Sequence, residues 1–131
     1  MEPQHAVESP TRTFIVSRYN KQLWQKQGVY QSDVVEVNGG GEVLRQFSGS
    51  HLSSLGWTPH VAVDSHGNIF VADEDDGRIL LLDAHLSLRR VIDDHQLNYK
   101  LPSRLCYREQ SGQLLVGFVG GVVAVFDVLC R

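Results

Sequence analysis

Residues 57–83 read WTPHVAVDSHGNIFVADEDDGRILLLD, and a weaker copy, LPSRLCYREQSGQLLVGFVGGVVAVFD, follows at residues 101–127. With the two aligned on their centres, Val61, Ala62 and Val63 fall on Leu105, Cys106 and Tyr107, an offset of 44 residues. Asn68 to Val71 falls on Gln113 to Val116, an offset of 45, and Ile79 to Leu82 falls on Val122 to Val125, an offset of 43. Within each copy, apolar runs short enough for single strands are separated by turns rich in Gly, Asp, Asn and Ser.

Self-similarity at a period of roughly 40–45 residues, with several short strands per period, is the signature of a β-propeller blade. The expected fold is therefore all-β: a propeller fragment of about three blades, each an antiparallel four-stranded sheet. Residues 1–11 hold two prolines, two glutamates and no periodicity, and are expected to form a disordered tail. Residues 12–131 form the propeller fragment, divided into a partial blade (12–48), a complete blade (49–96) and a partial blade (97–131). In the first, residues 14–16 correspond to residues 69–71 and make the second strand of an incomplete sheet. Residues 19–32 are a polar connection. Strands at 34–37 and 42–47 flank Gly39, Gly40 and Gly41, a hairpin signal because glycine reaches positive φ without strain. In the complete blade the strands are 60–63, 69–72, 78–82 and 86–92; in the last they are 104–107, 114–118 and 122–126. No segment keeps a helical period.

A blade buries both faces against its neighbours, which explains uninterrupted apolar runs such as Ile79-Leu80-Leu81-Leu82. Composition agrees with a globular chain: 42% of residues are hydrophobic, 21% are charged, and the net charge is −3. That charge advertises neither nucleic-acid nor anionic-membrane binding. The longest apolar run, 114–126, is too short to cross a bilayer and is broken by Gly117, Gly120 and Gly121. The first ten residues contain no apolar signal segment. Cys106 and Cys130 are too few for a disulfide scaffold and read as free thiols of a cytoplasmic protein, Cys106 as a small buried hydrophobe.

The succession of Pro59, VAVD, GNIFVAD and GRILLLD resembles the NHL repeat, the blade unit of many six-bladed propellers, over roughly residues 14–128. RLCY followed by SGQLLVG is similar to the C-terminal propellers of tripartite-motif (TRIM-NHL) proteins. Gly77 stands before Arg78 where the family often has asparagine; both residues tolerate the left-handed region. The resemblance implies a non-enzymatic protein-interaction module that engages a partner through the loops leading into the innermost strands. It places His60 and Arg104 at equivalent positions near the channel mouth, beside Trp57, Pro59 and Ser103. Trp57, His60, Ser103 and Arg104 are the candidate partner-binding residues.

The other polar residues read as structure. Asp64, Asp73 and Asp83 end strands, where their carboxylates accept turn N–H groups, and Arg78, next to Gly77, pairs with one of them. The acidic run from Asp73 to Asp76 fails as a calcium loop, because Ala72 stands where the first oxygen ligand would be needed. The six histidines have no zinc-ligand spacing, and His66 and His85 fall in exposed turns. No nucleophile elbow, P-loop or HExxH motif is present. No cofactor or metal is expected, and any ubiquitin-ligase activity would belong to zinc-binding domains outside this chain. The partners expected are a protein, no membrane, and either the remaining blades of a longer chain or a second copy. The alternatives are a propeller that recognises single-stranded RNA and a fragment of a propeller hydrolase or lyase.

Overall fold

Strands that are apolar on both faces need a cover on each side, and the computed structural model of the chain shows three stacked sheets that supply it. The structure describes residues 2–19, 32–47, 59–74, 77–93, 95–98 and 100–127. Every regular element among the described residues is a strand. Four make the first sheet in sequential order: β1 (Glu2–Glu8), β2 (Phe14–Tyr19), β3 (Ser32–Val37) and β4 (Val43–Phe47). The second contains β5 (His60–Val63), β6 (Ile69–Asp73), β7 (Arg78–Leu82) and β8 (Leu88–Ile92). The third contains β9 (Pro102–Arg108), β10 (Gln113–Phe118) and β11 (Val123–Asp127). All pairs are antiparallel neighbours in sequence. The sheets meet through their first strands, β1 against β5 and β5 against β9. This is the all-β arrangement of propeller blades.

The side-chain period of two decides what each blade touches. In the second sheet Val61, Ile69, Val71, Leu80 and Leu82 point into one core with Ile15 and Val34 of the first sheet. Their neighbours Ala62, Phe70, Ala72, Ile79 and Ile92 point the other way, into a core with Leu105, Leu114, Val116 and Phe118 of the third. Phe70 stacks on Tyr107 with ring centroids 5.3 Å apart, joining the two sheets.

Several expectations change. Residues 1–11 are not a tail: residues 2–8 form β1, with Ala6 opposite Val16 and Glu8 opposite Phe14. The segment has little strand propensity of its own. The open edge of β2 supplies the ladder, and Val7 packs into the core shared by the first two sheets. Pro3 sits beside a register shift, where a missing N–H costs least. The first blade thus has four strands rather than the partial set expected of residues 12–48. Cys106 is exposed rather than buried. It occupies the place of Ala62, but no described residue covers that side of the third sheet as β9 to β11 cover Ala62.

The structure also moves the repeat alignment by one residue. Leu82 opposes Ile69 and Phe126 opposes Leu114, so Leu82 corresponds to Phe126 and not to Val125. Ile69 and its partner Leu82 are 13 positions apart and Leu114 and Phe126 are 12, so the β10–β11 hairpin is one residue shorter overall than the β6–β7 hairpin. Consistent with this, Ala124 and Phe126 pack toward the second sheet, as Leu80 and Leu82 pack toward the first. A slip of one residue would have turned each of these side chains to the opposite face.

Candidate partner-binding rim

Two contacts fix how β5 and β9 lie together. The Leu105 N–H donates to His60 Nδ1 at 3.1 Å at one end. At the other, the Ser65 N–H and hydroxyl both donate to the Glu109 carboxylate, the hydroxyl at 2.7 Å. The two inner strands therefore run side by side in the same direction, like the staves of a channel wall. Turns that lead into inner strands gather at one rim, the entry rim; those that leave gather at the other, the exit rim.

At the exit rim one local solution recurs. Asp64 Oδ1 accepts the N–H groups of His66 and Asn68, both at 2.9 Å, and its Oδ2 accepts from the Asn68 side chain. Asp83 Oδ1 does the same for His85 and Ser87, and Asn38 Oδ1 for Gly40 and Glu42. Ser9 begins a fourth such turn through its hydroxyl and the Thr13 N–H. In all four the fourth residue has positive φ: Arg12, Gly41, Gly67 and Leu86. The short side-chain acceptor satisfies N–H groups that a tight turn would strand. The Ser87 N–H holds the Asp83 carboxyl below its ordinary value; partial burial opposes this, and the His85 N–H and the charges of His85 and Arg89 reinforce it. The carboxylates of Asp64 and Asp83 thus each hold the backbone of the turn that follows them.

The entry rim carries cross-strand ion pairs. Arg78 Nε donates to Asp73 Oδ2 at 2.9 Å, with the carboxylate fully buried. In the first sheet the same place is held by Arg18 and Asp33, joined by two bonds of 3.0 and 2.9 Å, with Gln46 donating to Asp33 as well. The polarity is reversed: acid on the second strand in one blade, base in the other. Phe118 fills the corresponding place in the third sheet. The Arg18–Asp33 pair was not singled out from the sequence, although the register that aligns residues 14–16 with 69–71 places Arg18 on Asp73. Ser65–Glu109 had no sequence signal, since it joins turns of different blades.

Of the four candidate partner-binding residues, the structure brings three onto adjacent inner strands. His60 is half-buried and committed to the Leu105 N–H. Ser103 donates its hydroxyl to the Gly117 carbonyl at 3.2 Å. Arg104 is exposed, and its guanidinium donates to the Ser103 carbonyl at 3.1 Å. Trp57 lies outside the described residues, as do Asp75, Asp76, Cys130 and most of the 19–32 connection. His66, His85, Arg89 and Arg90 are exposed. Among the described residues no group of three or more His, Cys, Asp or Glu side chains could hold a metal ion. No helix among them is long and apolar enough to cross a membrane.

No protein-family model matches the sequence, and no curated protein sequence matches it. Solved structures do share the fold. Hydrazine synthase of Kuenenia stuttgartiensis aligns with a TM-score of 0.62 at 16% identity, over 95% of this chain and 32% of that one. A protein of unknown function from Bacteroides caccae gives 0.58 at 16% identity, over 96% of this chain and 46% of that one. A gluconolactonase from Xanthomonas campestris, important in glucose secondary metabolic pathways, gives 0.55 at 13% identity, over 94% and 37%. The chain spans less than half the length of each.

Proposed function

We propose that the chain is a non-enzymatic protein-interaction module, part of an NHL-type propeller of the kind found in tripartite-motif proteins, with its partner engaged at the entry rim. The observation that carries this reading is the division of labour between equivalent residues. His60 is spent on holding the next blade, whereas Arg104, at the same place one blade on, extends into solvent from an inner strand. An arginine there offers a planar fork of donors to a carboxylate or to carbonyl groups of a partner loop. Ser103, bonded to Gly117, sets the backbone from which Arg104 projects.

A photo-crosslinking residue placed at position 104 should yield protein adducts in cells, and the same residue at position 90, on the outer strand β8, should not. Equal adduct formation at both positions overturns the assignment. Adducts that ribonuclease removes, and binding that weakens steeply with salt, would instead identify single-stranded RNA as the ligand. A second reading, a piece of a propeller hydrolase, draws on the likeness to the gluconolactonase. Turnover of a simple lactone by the purified chain would favour that reading over the first.

A further inference from the structure

Three of the exit-rim turns rest on the side chain of an aspartate or asparagine, and in only one of them is the acceptor an amide. Asp64 and Asp83 are followed by Ser65 and Ala84, whereas Asn38, in the same turn position, is followed by Gly39, Gly40 and Gly41. The other asparagines, Asn20, Asn68 and Asn98, precede Lys21, Ile69 and Tyr99. Asparagine before glycine is open to an internal reaction. No Cβ on the following residue hinders attack of its backbone nitrogen on the side-chain amide.

The turn around Asn38 supplies what that reaction needs. Oδ1 accepts the N–H groups of Gly40 and Glu42, both at 3.0 Å. These donors polarise the side-chain carbonyl and stand where negative charge develops when its carbon is attacked. Nδ2, the group that would leave, donates to Glu42 Oε1 at 3.2 Å. The Gly39 N–H has no acceptor among the described residues. Gly39 and Gly40 are exposed, and a Cβ built on Gly39 would meet nothing within 4 Å, so water reaches the site freely.

We propose that Asn38 is a self-modification site, which converts in the folded chain to aspartate and isoaspartate through a cyclic imide. Gly39 N gives its proton to solvent and bonds to Asn38 Cγ, and the carbonyl electron pair moves onto Oδ1, between the Gly40 and Glu42 N–H groups. Collapse of that centre breaks the Cγ–Nδ2 bond, and Nδ2 leaves as ammonia with a proton from water. Water then opens the ring. Cleavage of the new Cγ–N bond gives aspartate; cleavage between the Asn38 carbonyl carbon and Gly39 N gives isoaspartate, whose backbone runs through Cγ. The net change consumes water and releases ammonia, and needs no oxidant.

The two products act differently on the hairpin. Aspartate keeps the acceptor that the turns at Asp64 and Asp83 use, but it sets a carboxylate against Glu42, where those turns have Asn68 and Ser87. Isoaspartate lengthens the backbone by a methylene. It disrupts the closure between β3 and β4, in which Asn38 N–H donates to the Glu42 carbonyl and Gly41 N–H to the Asn38 carbonyl, both at 3.0 Å. The outer strand β4 is therefore loosened as the molecule ages. This consequence does not depend on the reading of the entry rim.

The test follows the purified full chain at neutral pH and body temperature by peptide mapping. Mass spectrometry should record a one-dalton gain at Asn38, with a product that an isoaspartyl methyltransferase labels, while Asn68 and Asn98 stay intact. Gly39→Ala, which the open space accommodates, should slow the gain at least tenfold. In Asn38→Asp, hydrogen exchange in β4 should rise several-fold, and adding Glu42→Gln should reverse the rise. The proposal is overturned if the folded chain keeps Asn38 while the urea-unfolded chain converts it, or if Gly39→Ala converts at the parental rate. Unchanged exchange in β4 after conversion would overturn the effect assigned to the hairpin.

Discussion

Asp64 and Asp83 stand at equivalent points of successive hairpins, yet they will not respond alike. Asp64 is buried and accepts three hydrogen bonds, so Asp64→Ala leaves turn N–H groups without an acceptor. A loss of about 1–3 kcal/mol is expected, measurable by urea denaturation. Asp83 accepts two backbone N–H groups and is more exposed, so its removal should cost less. Its contribution also depends on pH in a defined sense. Because the folded carboxyl sits below its ordinary value, the stabilisation is complete above that value and disappears as pH falls through the lowered one. The stability difference between the wild type and Asp83→Asn should therefore be constant near neutrality and shrink on acidification; a difference that grows instead would contradict the assignment. Gly67 and Leu86 hold the same left-handed position in these turns, at φ of 85° and 63°. At Gly67 a Cβ would lie 3.0 Å from that of Ala84, so strain and contact add, and Gly67→Ala should cost at least about 1–2 kcal/mol. At Leu86 the side chain is buried in the core between the first two sheets. Burial of a leucine, about 1.5–3 kcal/mol, exceeds the backbone strain, about 1–2 kcal/mol. Leu86→Gly should destabilise despite relieving that strain.

At the scale of the strand pair, the ion pairs at the entry rim are the sensitive points. Asp73 is fully buried, so Asp73→Asn removes a buried carboxylate charge that Arg78 meets where water barely reaches. The expected loss is about 3–5 kcal/mol by denaturant titration. Reversal, Asp73→Arg together with Arg78→Asp, should recover most of it, because the first blade holds Arg18 and Asp33 in that orientation. If the double variant is no better than the singles, the two sites are not equivalent. Exposed pairs such as Arg89 with Asp83, 3.9 Å apart, should matter little.

For the whole molecule, cohesion resides in the two cores between sheets rather than in any sheet alone. Phe70 belongs to the second sheet but spends its area on the third, where it meets Tyr107. Phe70→Ala should cost about 3–5 kcal/mol and loosen the third sheet first. Hydrogen exchange in β9 to β11 should rise more than in β1 to β4; a uniform rise would mean that the blades unfold as one unit. Cys106 faces the uncovered side of the third sheet, so peptide mapping should find it alkylated under native conditions.

The repeat, the all-β class and most strands were legible in the residues from Val61 to Phe126. Side chains alternating every second residue between two dry faces leave a pattern that no helix or half-wet sheet would produce. In the turns after Asp64 and Asp83 the carboxylate acts within five residues, so that bonding is local in the chain. What the chain's order concealed was set across blades. β1 exists because β2 has an edge to fill, not because residues 2–8 favour a strand. His60 and Arg104 carry the same repeat position, but among the described residues one lies against a following blade and the other against none, so their roles diverge. The one-residue shift between Val125 and Phe126 likewise came from a hairpin length whose effect appears only once strands pair. Local bonding is written in neighbouring residues; contacts between sheets join positions some 44 residues apart, and their outcome depends on what packs above each face.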